Sequence, residues 1–404
     1  MRASRAFSWL VPFLLTAGLG SPAQAASTAK CVEVFLESHP PLEENFNRLI
    51  EKKKSERLDP HAVRSLRDHA FLLVGGFTSD LPQVYLAQVL KLNPFLAPAI
   101  AEDIADKTVR GLGIYYRSME SVLRKDLQVT PTDIQIVRPS SAEIEGDRIV
   151  ANAERMYEKV ISLHQSSGKP VVVVGHSMGG PTILAMLAAH PELLTKNIVD
   201  RAIAIQGAFG GSYSVDHALA QGASRAMVPA MKQKIWGGTL ALRHDRPNQM
   251  IAQALQGSLR KLNLEERTEF LHRLQASVFY VRSYAKNPLP SNPLHASWSA
   301  IKQDQSGTEN DGLLSLNDQI PQIPTAEIAA MPEAYAADSR MILGREVGLA
   351  VDVDHLGSLY NFRFDPFTRM AIGFNPWLSH LKSSEFGEAF ARAVLEPVGL
   401  AESR

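Results

Sequence analysis

A serine flanked by two glycines is the clearest chemical feature of this chain. Residues 175–179 are Gly-His-Ser-Met-Gly, which fits the pattern G-x-S-x-G. The valine run Val171–Val174 precedes the motif and an apolar segment follows it, so we expect the serine on a turn between a buried strand and a helix. Neighbours with side chains would clash at so sharp a turn, and Gly175 and Gly179 leave room there. The motif therefore predicts that Ser177 is a nucleophile.

Acyl transfer from such a serine needs two backbone N–H groups that stabilise the negative oxygen of the intermediate. The residue after the nucleophile, Met178, is expected to supply one. The other is expected from the turn after an earlier strand, which points to the N–H of Phe77 behind Gly75-Gly76. The alternative is that these two glycines only make a tight turn.

A serine hydroxyl also needs a histidine that takes its proton and an acid that orients the histidine. His355 follows the apolar residues that end at Val353 and lies in a late loop. When a serine follows a strand and precedes a helix in this way, the order along the chain is serine, acid, histidine, so the base is expected in a late loop. We expect Asp311, in a turn-rich stretch, to be the acid. A turn aspartate beside a glycine is also common without any catalytic role. Other acids stay open, namely Glu309, Asp318, Asp352 and Asp354, and so do the other histidines after the serine, namely His190, His217, His244, His272, His295 and His380.

The elements that must position these residues alternate between strands and helices. Short apolar runs predict strands at 71–74, 134–137, 171–174, 202–205 and 277–281. Apolar residues spaced by three and four between 149 and 163 predict a helix, and a second helix is expected over 182–189. This order favours an α/β fold with a central, mostly parallel sheet flanked by helices.

The segment of about 213–275 interrupts that alternation. It has helical spacing without strands, and a strand follows it. We expect a helical cap over the site, inserted in a hydrolase domain that spans 70–404. The alternative is that these are ordinary crossover helices packed on the sheet.

The N-terminus has the features of a cleaved leader. Two arginines precede a short apolar run, and Ala23-Gln24-Ala25 is a small-x-small site, so residues 1–25 are expected to be a signal peptide cleaved after Ala25. The run is shorter than the roughly 20 residues that cross a bilayer, so no stable membrane anchor is expected. Residues 26–69 are expected to form a charged helical extension, with the run 51–57 on a solvated face. We expect a periplasmic or secreted protein.

Composition and net charge are those of an ordinary globular protein. The chain has 404 residues, of which 45% are hydrophobic and 21% charged, as in soluble globular proteins. Lys+Arg and Asp+Glu both number 42, so bulk charge gives no reason to expect a nucleic-acid partner. Cys31 is the only cysteine, which rules out an intrachain disulfide, and we expect it to be incidental. No cofactor and no metal site is expected, and the oligomeric state is left open.

At these residues the chain resembles the lipase and esterase branch of the α/β-hydrolase superfamily, particularly the secreted bacterial lipases. Residues 175–180 resemble the family's nucleophile elbow, 310–313 its acid loop and 354–356 its histidine loop, and 206–212 resemble the segment before its lid. The matches follow the family's order. They leave the first 69 residues uncovered.

Three departures accompany the resemblance. The family's His-Gly pair at the oxyanion loop is Gly75-Gly76 here, and the family's calcium-binding acid two positions after the histidine is Gly357. The disulfide of some members is impossible with one cysteine. A calcium site is therefore not implied, and the substrate is expected to differ from long-chain triglycerides.

Together these features predict hydrolysis of carboxylic esters, as in lipases and esterases, by a Ser177–His355–Asp311 triad through an acyl-enzyme. The substrate class is a small-molecule or lipid ester. Two alternatives stay open: an acyltransferase that uses the same triad with an alcohol acceptor, and a non-catalytic binding protein with the same fold.

Overall fold

A parallel sheet forms the centre of the molecule. The computed structural model describes residues 40–76, 116–137, 148–213, 243–288, 294–305, 307–336, 338–355, 357–358 and 383–401. The six strands of this sheet are β1 Ala70–Val74, β2 Ile134–Val137, β3 Val171–His176, β4 Val199–Ile205, β5 Val278–Tyr284 and β8 Arg345–Val351. Their order is β2-β1-β3-β4-β5-β8, and every neighbouring pair is parallel. Strands β6 Gln322–Pro324 and β7 Arg340–Ile342 form a separate antiparallel pair.

Helices cover both faces of the sheet. They are α1 Pro40–Ser55, α2 Pro60–Leu66, α3 Arg117–Lys125, α4 Arg148–Ser167, α5 Gly179–Ala189, α6 Glu192–Thr195, α7 Arg246–Leu259, α8 Leu264–Ser277, α9 His295–Asp304, α10 Glu333–Ala336 and α11 Ser384–Leu400. The apolar spacing between 149 and 163 predicted α4, and the apolar residues of that face are buried. None of the helices in the described ranges is long and apolar enough to cross a membrane.

The alternation of side chains along β3 explains why the sheet is buried on both faces. Val171 and Val173 pack into one core layer, and Val172 and Val174 pack into the other. All four valines are fully buried. A strand with no polar alternation belongs in the middle of a covered parallel sheet, and the sequence-based prediction of the fold class is confirmed.

Each core layer has its own set of helices. Helices α4, α5, α7 and α8 contribute apolar side chains to the layer of Val171. Helices α1, α2, α3 and α11 contribute to the layer of Val172. Within the segment predicted as a cap, α7 and α8 therefore belong to the core of the sheet. Residues 214–242 of that segment lie outside the described residues, and the cap stays a prediction.

The N-terminal helices are part of the same core. Phe46 and Ile50 of α1 are almost fully buried, and the Phe46 and Phe390 rings meet edge to face with centroids 6.2 Å apart. Within the charged run 51–57, Lys53 is an exception to the expected solvated face. Its Nζ lies 2.5 Å from Oε2 of Glu396 in α11, and its side chain is 3% exposed. The predicted signal peptide lies outside the described residues.

Candidate active site

Ser177 lies on a strained turn between β3 and α5. Its φ is 54°, in the left-handed region that residues other than glycine rarely adopt. At this turn the backbone passes so close to its neighbours that the two flanking positions have no room for a Cβ. A Cβ at Gly175 would lie 2.5 Å from the carbonyl oxygen of Gly179, and a Cβ at Gly179 would lie 2.5 Å from that of Val74. These two glycines permit the turn, as the motif predicts.

The turn after β1 packs directly against the serine. A Cβ at Gly76 would lie 2.8 Å from the Cβ of Ser177. This brings the backbone after β1 to the place where the second oxyanion donor is expected. Phe77, the residue predicted to supply that donor, lies outside the described residues.

Met178 lies at the start of α5, where backbone N–H groups are not used by the helix itself. No backbone acceptor among the described residues takes the Met178 N–H. The positive end of the α5 dipole lies at the same point and favours negative charge there. This N–H can therefore bind an oxyanion.

Asp311 and His355 are in direct contact. His355 Nδ1 lies 2.8 Å from Asp311 Oδ2. The Asp311 side chain is fully buried and that of His355 is 4% exposed. A carboxylate in this position makes Nδ1 the protonated nitrogen and leaves Nε2 free to accept a proton.

The acid is held by its own loop. Asp311 Oδ1 accepts hydrogen bonds from the N–H groups of Leu313 at 3.0 Å and Leu314 at 2.8 Å. The turn that makes this possible passes through Gly312, with φ at 97°. Oδ1 is therefore committed to the backbone, and Oδ2 faces the imidazole.

The loop of His355 contacts the turn of Ser177 through His176, the residue before the serine. His176 Nε2 lies 3.1 Å from the backbone oxygen of His355, and the two rings have centroids 4.8 Å apart. Among the described residues, no hydrogen bond joins the Ser177 hydroxyl to the His355 ring. Catalytic hydrogen bonds are often long until substrate binds. The structure thus places His355 in contact with His176, the residue that precedes Ser177.

The other candidate acids have different partners. Asp318 Oδ2 accepts from the Ser315 hydroxyl at 2.8 Å, and Asp354 Oδ1 accepts from the N–H of Gly357 at 2.6 Å. Glu309 Oε1 lies 3.6 Å from Lys302 Nζ. Asp352 is exposed. Of the described carboxylates, Asp311 is the one in contact with the His355 ring.

Sequence reasoning missed Gln206, which is fully buried directly after β4. Its Nε2 lies 3.3 Å from Asp311 Oδ2 and 3.2 Å from the backbone oxygen of Asp354. Its Oε1 lies 3.2 Å from His176 Nε2. The one available signal was a polar side chain that directly follows an apolar strand, at the sheet edge where Ser177 follows β3.

Burial holds the pKa of His176 well below its ordinary value, and the neighbouring His355 lowers that pKa further. His176 is therefore neutral at physiological pH. Its Nε2 faces two oxygens, those of Gln206 and of the His355 backbone, so Nε2 carries the hydrogen and donates. His176 is therefore a neutral hydrogen-bond donor to the loop of His355.

The sheet order, the strained turn after β3 and the loops of Asp311 and His355 at the same edge of the sheet define an α/β-hydrolase fold. Residues 152–237, which include β3, Ser177 and α5, match the family model of lecithin:cholesterol acyltransferase. This match spans much less than half of the chain. No curated protein matches the chain.

Solved structures give more distant likenesses. A metagenomic carboxyl esterase is 15% identical with a TM-score of 0.43, over 82% of this chain and 76% of that one. The mature lipase of Bacillus licheniformis is 14% identical with a TM-score of 0.39, over 74% and 88%. Lipase 1 of Pelosinus fermentans is 13% identical with a TM-score of 0.38, over 72% and 93%. At these scores the likenesses do not bear on substrate or mechanism.

Proposed function

We propose that this protein is a serine hydrolase of carboxylic esters that acts through an acyl-enzyme, with Ser177 as nucleophile, His355 as base and Asp311 as the orienting acid. The observation that carries the proposal is the buried 2.8 Å contact between His355 Nδ1 and Asp311 Oδ2. It occurs at the sheet edge where Ser177 occupies a left-handed turn. Structural ion pairs also exist at such edges, but they do not need a strained serine beside them.

In the proposed reaction, His355 Nε2 takes the proton of Ser177 Oγ while Oγ attacks the ester carbonyl. The imidazolium then gives this proton to the leaving alkoxide as the carbon–oxygen bond of the ester breaks. Water then attacks the acyl carbon while His355 takes its proton. The bond between the acyl carbon and Ser177 Oγ breaks, His355 returns the proton to Oγ, and the carboxylic acid leaves. The Asp311 carboxylate accepts a hydrogen bond from His355 Nδ1 and stabilises the imidazolium.

Met178 N–H, together with Phe77 N–H, is proposed to hold the oxyanion. No backbone acceptor in the described ranges takes the N–H of Met178 at the start of α5, which supports the first assignment, and the packing of Gly76 against Ser177 supports the second. Loss of one such donor costs about 2.7–4 kcal/mol of transition-state stabilisation.

The side chains beside the site favour an apolar acyl group. Met178, Ala208 and Leu314 form a small buried cluster next to Ser177, with Leu313 partly buried against it. Ala208 N–H donates to the backbone oxygen of Ser177 at 3.1 Å, which keeps this cluster against the nucleophile turn. The substrate class proposed is a small-molecule or lipid ester.

An acyltransferase is the second candidate, because the segment that matches the lecithin:cholesterol acyltransferase family contains Ser177. The acyl-enzyme would be the same, and an alcohol would replace water in the second step. Product analysis separates the two: with an added alcohol, a transferase yields the new ester in place of the free acid.

Export after cleavage at Ala25 is also proposed. The mass of the N-terminal peptide of the mature protein tests this cleavage site.

Ser177→Ala tests the proposal on p-nitrophenyl butyrate and on a fluorophosphonate probe. We expect loss of both turnover and labelling. Ser258→Ala is the matched control, because this buried serine of α7 donates to the Ala189 backbone oxygen, away from the site. Turnover that survives in Ser177→Ala would refute the proposal. A wild-type protein that reacts with neither reagent would instead support a binding protein.

A further inference from the structure

Gln206 connects the groups that surround the catalytic pair. Its Nε2 lies within hydrogen-bond distance of the Ser283 hydroxyl, of Asp311 Oδ2 and of the Asp354 backbone oxygen. Its Oε1 lies 3.2 Å from His176 Nε2 and 2.5 Å from the Ser358 hydroxyl. All of these contacts lie at the carboxyl edge of the sheet, where strands β3, β4 and β5 end.

The chemistry of these partners fixes the orientation of the amide. A carboxylate and a backbone oxygen only accept hydrogen bonds, so the amide nitrogen must face Asp311 and Asp354. The amide oxygen then faces His176, whose Nε2–H donates both to Gln206 and to the backbone oxygen of His355. One chain of hydrogen bonds thus runs from the acid through Gln206 and His176 to the loop of the base.

We propose that Gln206 is a positioning residue for the acyl-transfer reaction: it orients the Asp311 carboxylate directly, and it holds the His355 loop through His176 and the Asp354 carbonyl. This inference rests on the proposed function. Gln206 touches neither the ester nor Ser177 Oγ in this account. It acts through the residues that do the chemistry.

A glutamine suits this place better than other side chains of similar size. Methionine would remove one hydrogen bond from each of the buried Asp311, His176 and Asp354 groups, which is costly in an apolar interior. Glutamate would place a second carboxylate against Asp311. The backbone at Gln206 is also strained, with φ at 48°, so the fold holds this side chain at a turn that few residues adopt.

Gln206→Met removes the hydrogen bonds and keeps the volume. We expect kcat on p-nitrophenyl butyrate to fall by about 10- to 100-fold, by analogy with residues that orient metal ligands through a hydrogen bond, with KM changed by less than about 2-fold. Gln319→Met is the matched control. Gln319 is also fully buried and bonds the N–H and carbonyl of Ser283, but none of its hydrogen bonds within the described residues goes to Asp311 or His176. We expect its kcat within about 2-fold of wild type.

Gln206→Glu tests the same role through the pH profile. The titratable groups around position 206 are Asp311, His176, His355 and Asp354. A carboxylate here would lie next to Asp311 Oδ2, which contacts His355 Nδ1. Extra negative charge favours protonated His355, so the acid limb of kcat/KM should move to higher pH by about one unit or more.

Two results would overturn the inference: a Gln206→Met enzyme whose kcat equals that of Gln319→Met, or a Gln206→Glu enzyme with an unmoved acid limb. If Gln206→Met does not fold, the glutamate variant decides. Retained turnover in Ser177→Ala would instead refute the proposed function. Loss of turnover in Ser177→Ala with unchanged Gln206 variants would refute only this inference.

Discussion

His355 and Asp311 are joined twice. The imidazole Nδ1 lies 2.8 Å from the carboxylate Oδ2, and the His355 N–H donates to the Asp311 backbone oxygen at 2.9 Å. The backbone bond fixes the two loops relative to each other, so the side-chain contact does not depend on rotamers alone. Two contacts therefore hold Asp311 and His355 together, and we expect changes in either residue to affect the proposed chemistry before they affect the fold.

Asp311→Asn should reverse the tautomer of His355. Two backbone N–H groups hold the oxygen at the Oδ1 position, so the new amide nitrogen would face His355 Nδ1 and donate to it. The proton would then sit on Nε2, which could no longer accept from Ser177. We expect kcat to fall by about 10⁴-fold with the thermal midpoint little changed. Steady-state kinetics on p-nitrophenyl butyrate measures this.

Asp352→Asn is the control for that change. Asp352 is exposed and has φ at 62°, a conformation that asparagine also tolerates. Its kcat should stay within about 2-fold of wild type. Equal losses in the two variants would argue against Asp311 as the orienting acid.

Gly179→Ala should destabilise the fold as well as the turn. The added Cβ would lie 2.5 Å from the Val74 carbonyl oxygen, a backbone atom that cannot move aside cheaply. We expect the free energy of unfolding to fall by about 1–3 kcal/mol, measured by urea denaturation.

At Gly257 in α7, an alanine is expected to raise the free energy of unfolding instead of lowering it. A Cβ there meets nothing within 4 Å, and alanine favours helix, so Gly257→Ala should stabilise by about 0.5–1 kcal/mol. If both alanine variants changed stability equally, close packing around the nucleophile turn would not explain the glycines of the motif.

Lys53→Met tests whether the N-terminal helix is an integral part of the domain. This change leaves Glu396 largely buried without its cation, and we expect a loss of about 3–5 kcal/mol in unfolding free energy. Lys52→Met removes an exposed lysine that pairs with Glu56 at 3.5 Å, and should cost no more than about 0.5 kcal/mol. A cooperative transition unaffected by Lys53→Met would mean that α1 folds separately.

Acid should destabilise the protein through His176. Its pKa in the folded state is depressed, because burial disfavours the charged form. Below the unfolded pKa of about 6.5 the unfolded chain binds a proton that the folded one does not, so stability falls with pH by up to about 1.4 kcal/mol per unit. His176→Gln keeps a donor and removes this proton. Urea denaturation at pH 7.5 and 5.5 should give a smaller difference for the variant, and equal differences would contradict this account.

The central strands could be predicted because their local composition is unambiguous. A run such as Val171–Val174 has no polar face, so only a covered strand accommodates it. The charged run at 51–57 shows the opposite case. Local composition predicts a solvated face, but Lys53 meets Glu396, and a contact across so much sequence leaves no local signal.

The residues of the candidate site also differ in whether local sequence can predict them. Ser177 is visible from the sequence because its glycines and flanking elements are local. Gln206 is not, because its partners depend on the strand order: β4 lies between β3 and β5, which places Gln206 beside His176 and Ser283. The sequence pattern also does not decide whether α7 and α8 form a cap or pack on the sheet, because an amphipathic helix has the same pattern in both positions.

The most direct measurement is to map the residue that a fluorophosphonate modifies, by mass spectrometry of peptides from the labelled protein. If Ser177 is the nucleophile, we expect a single adduct on Ser177, none in Ser177→Ala, and slow labelling in Asp311→Asn. An adduct on another residue, or full labelling of Ser177→Ala, would contradict this assignment.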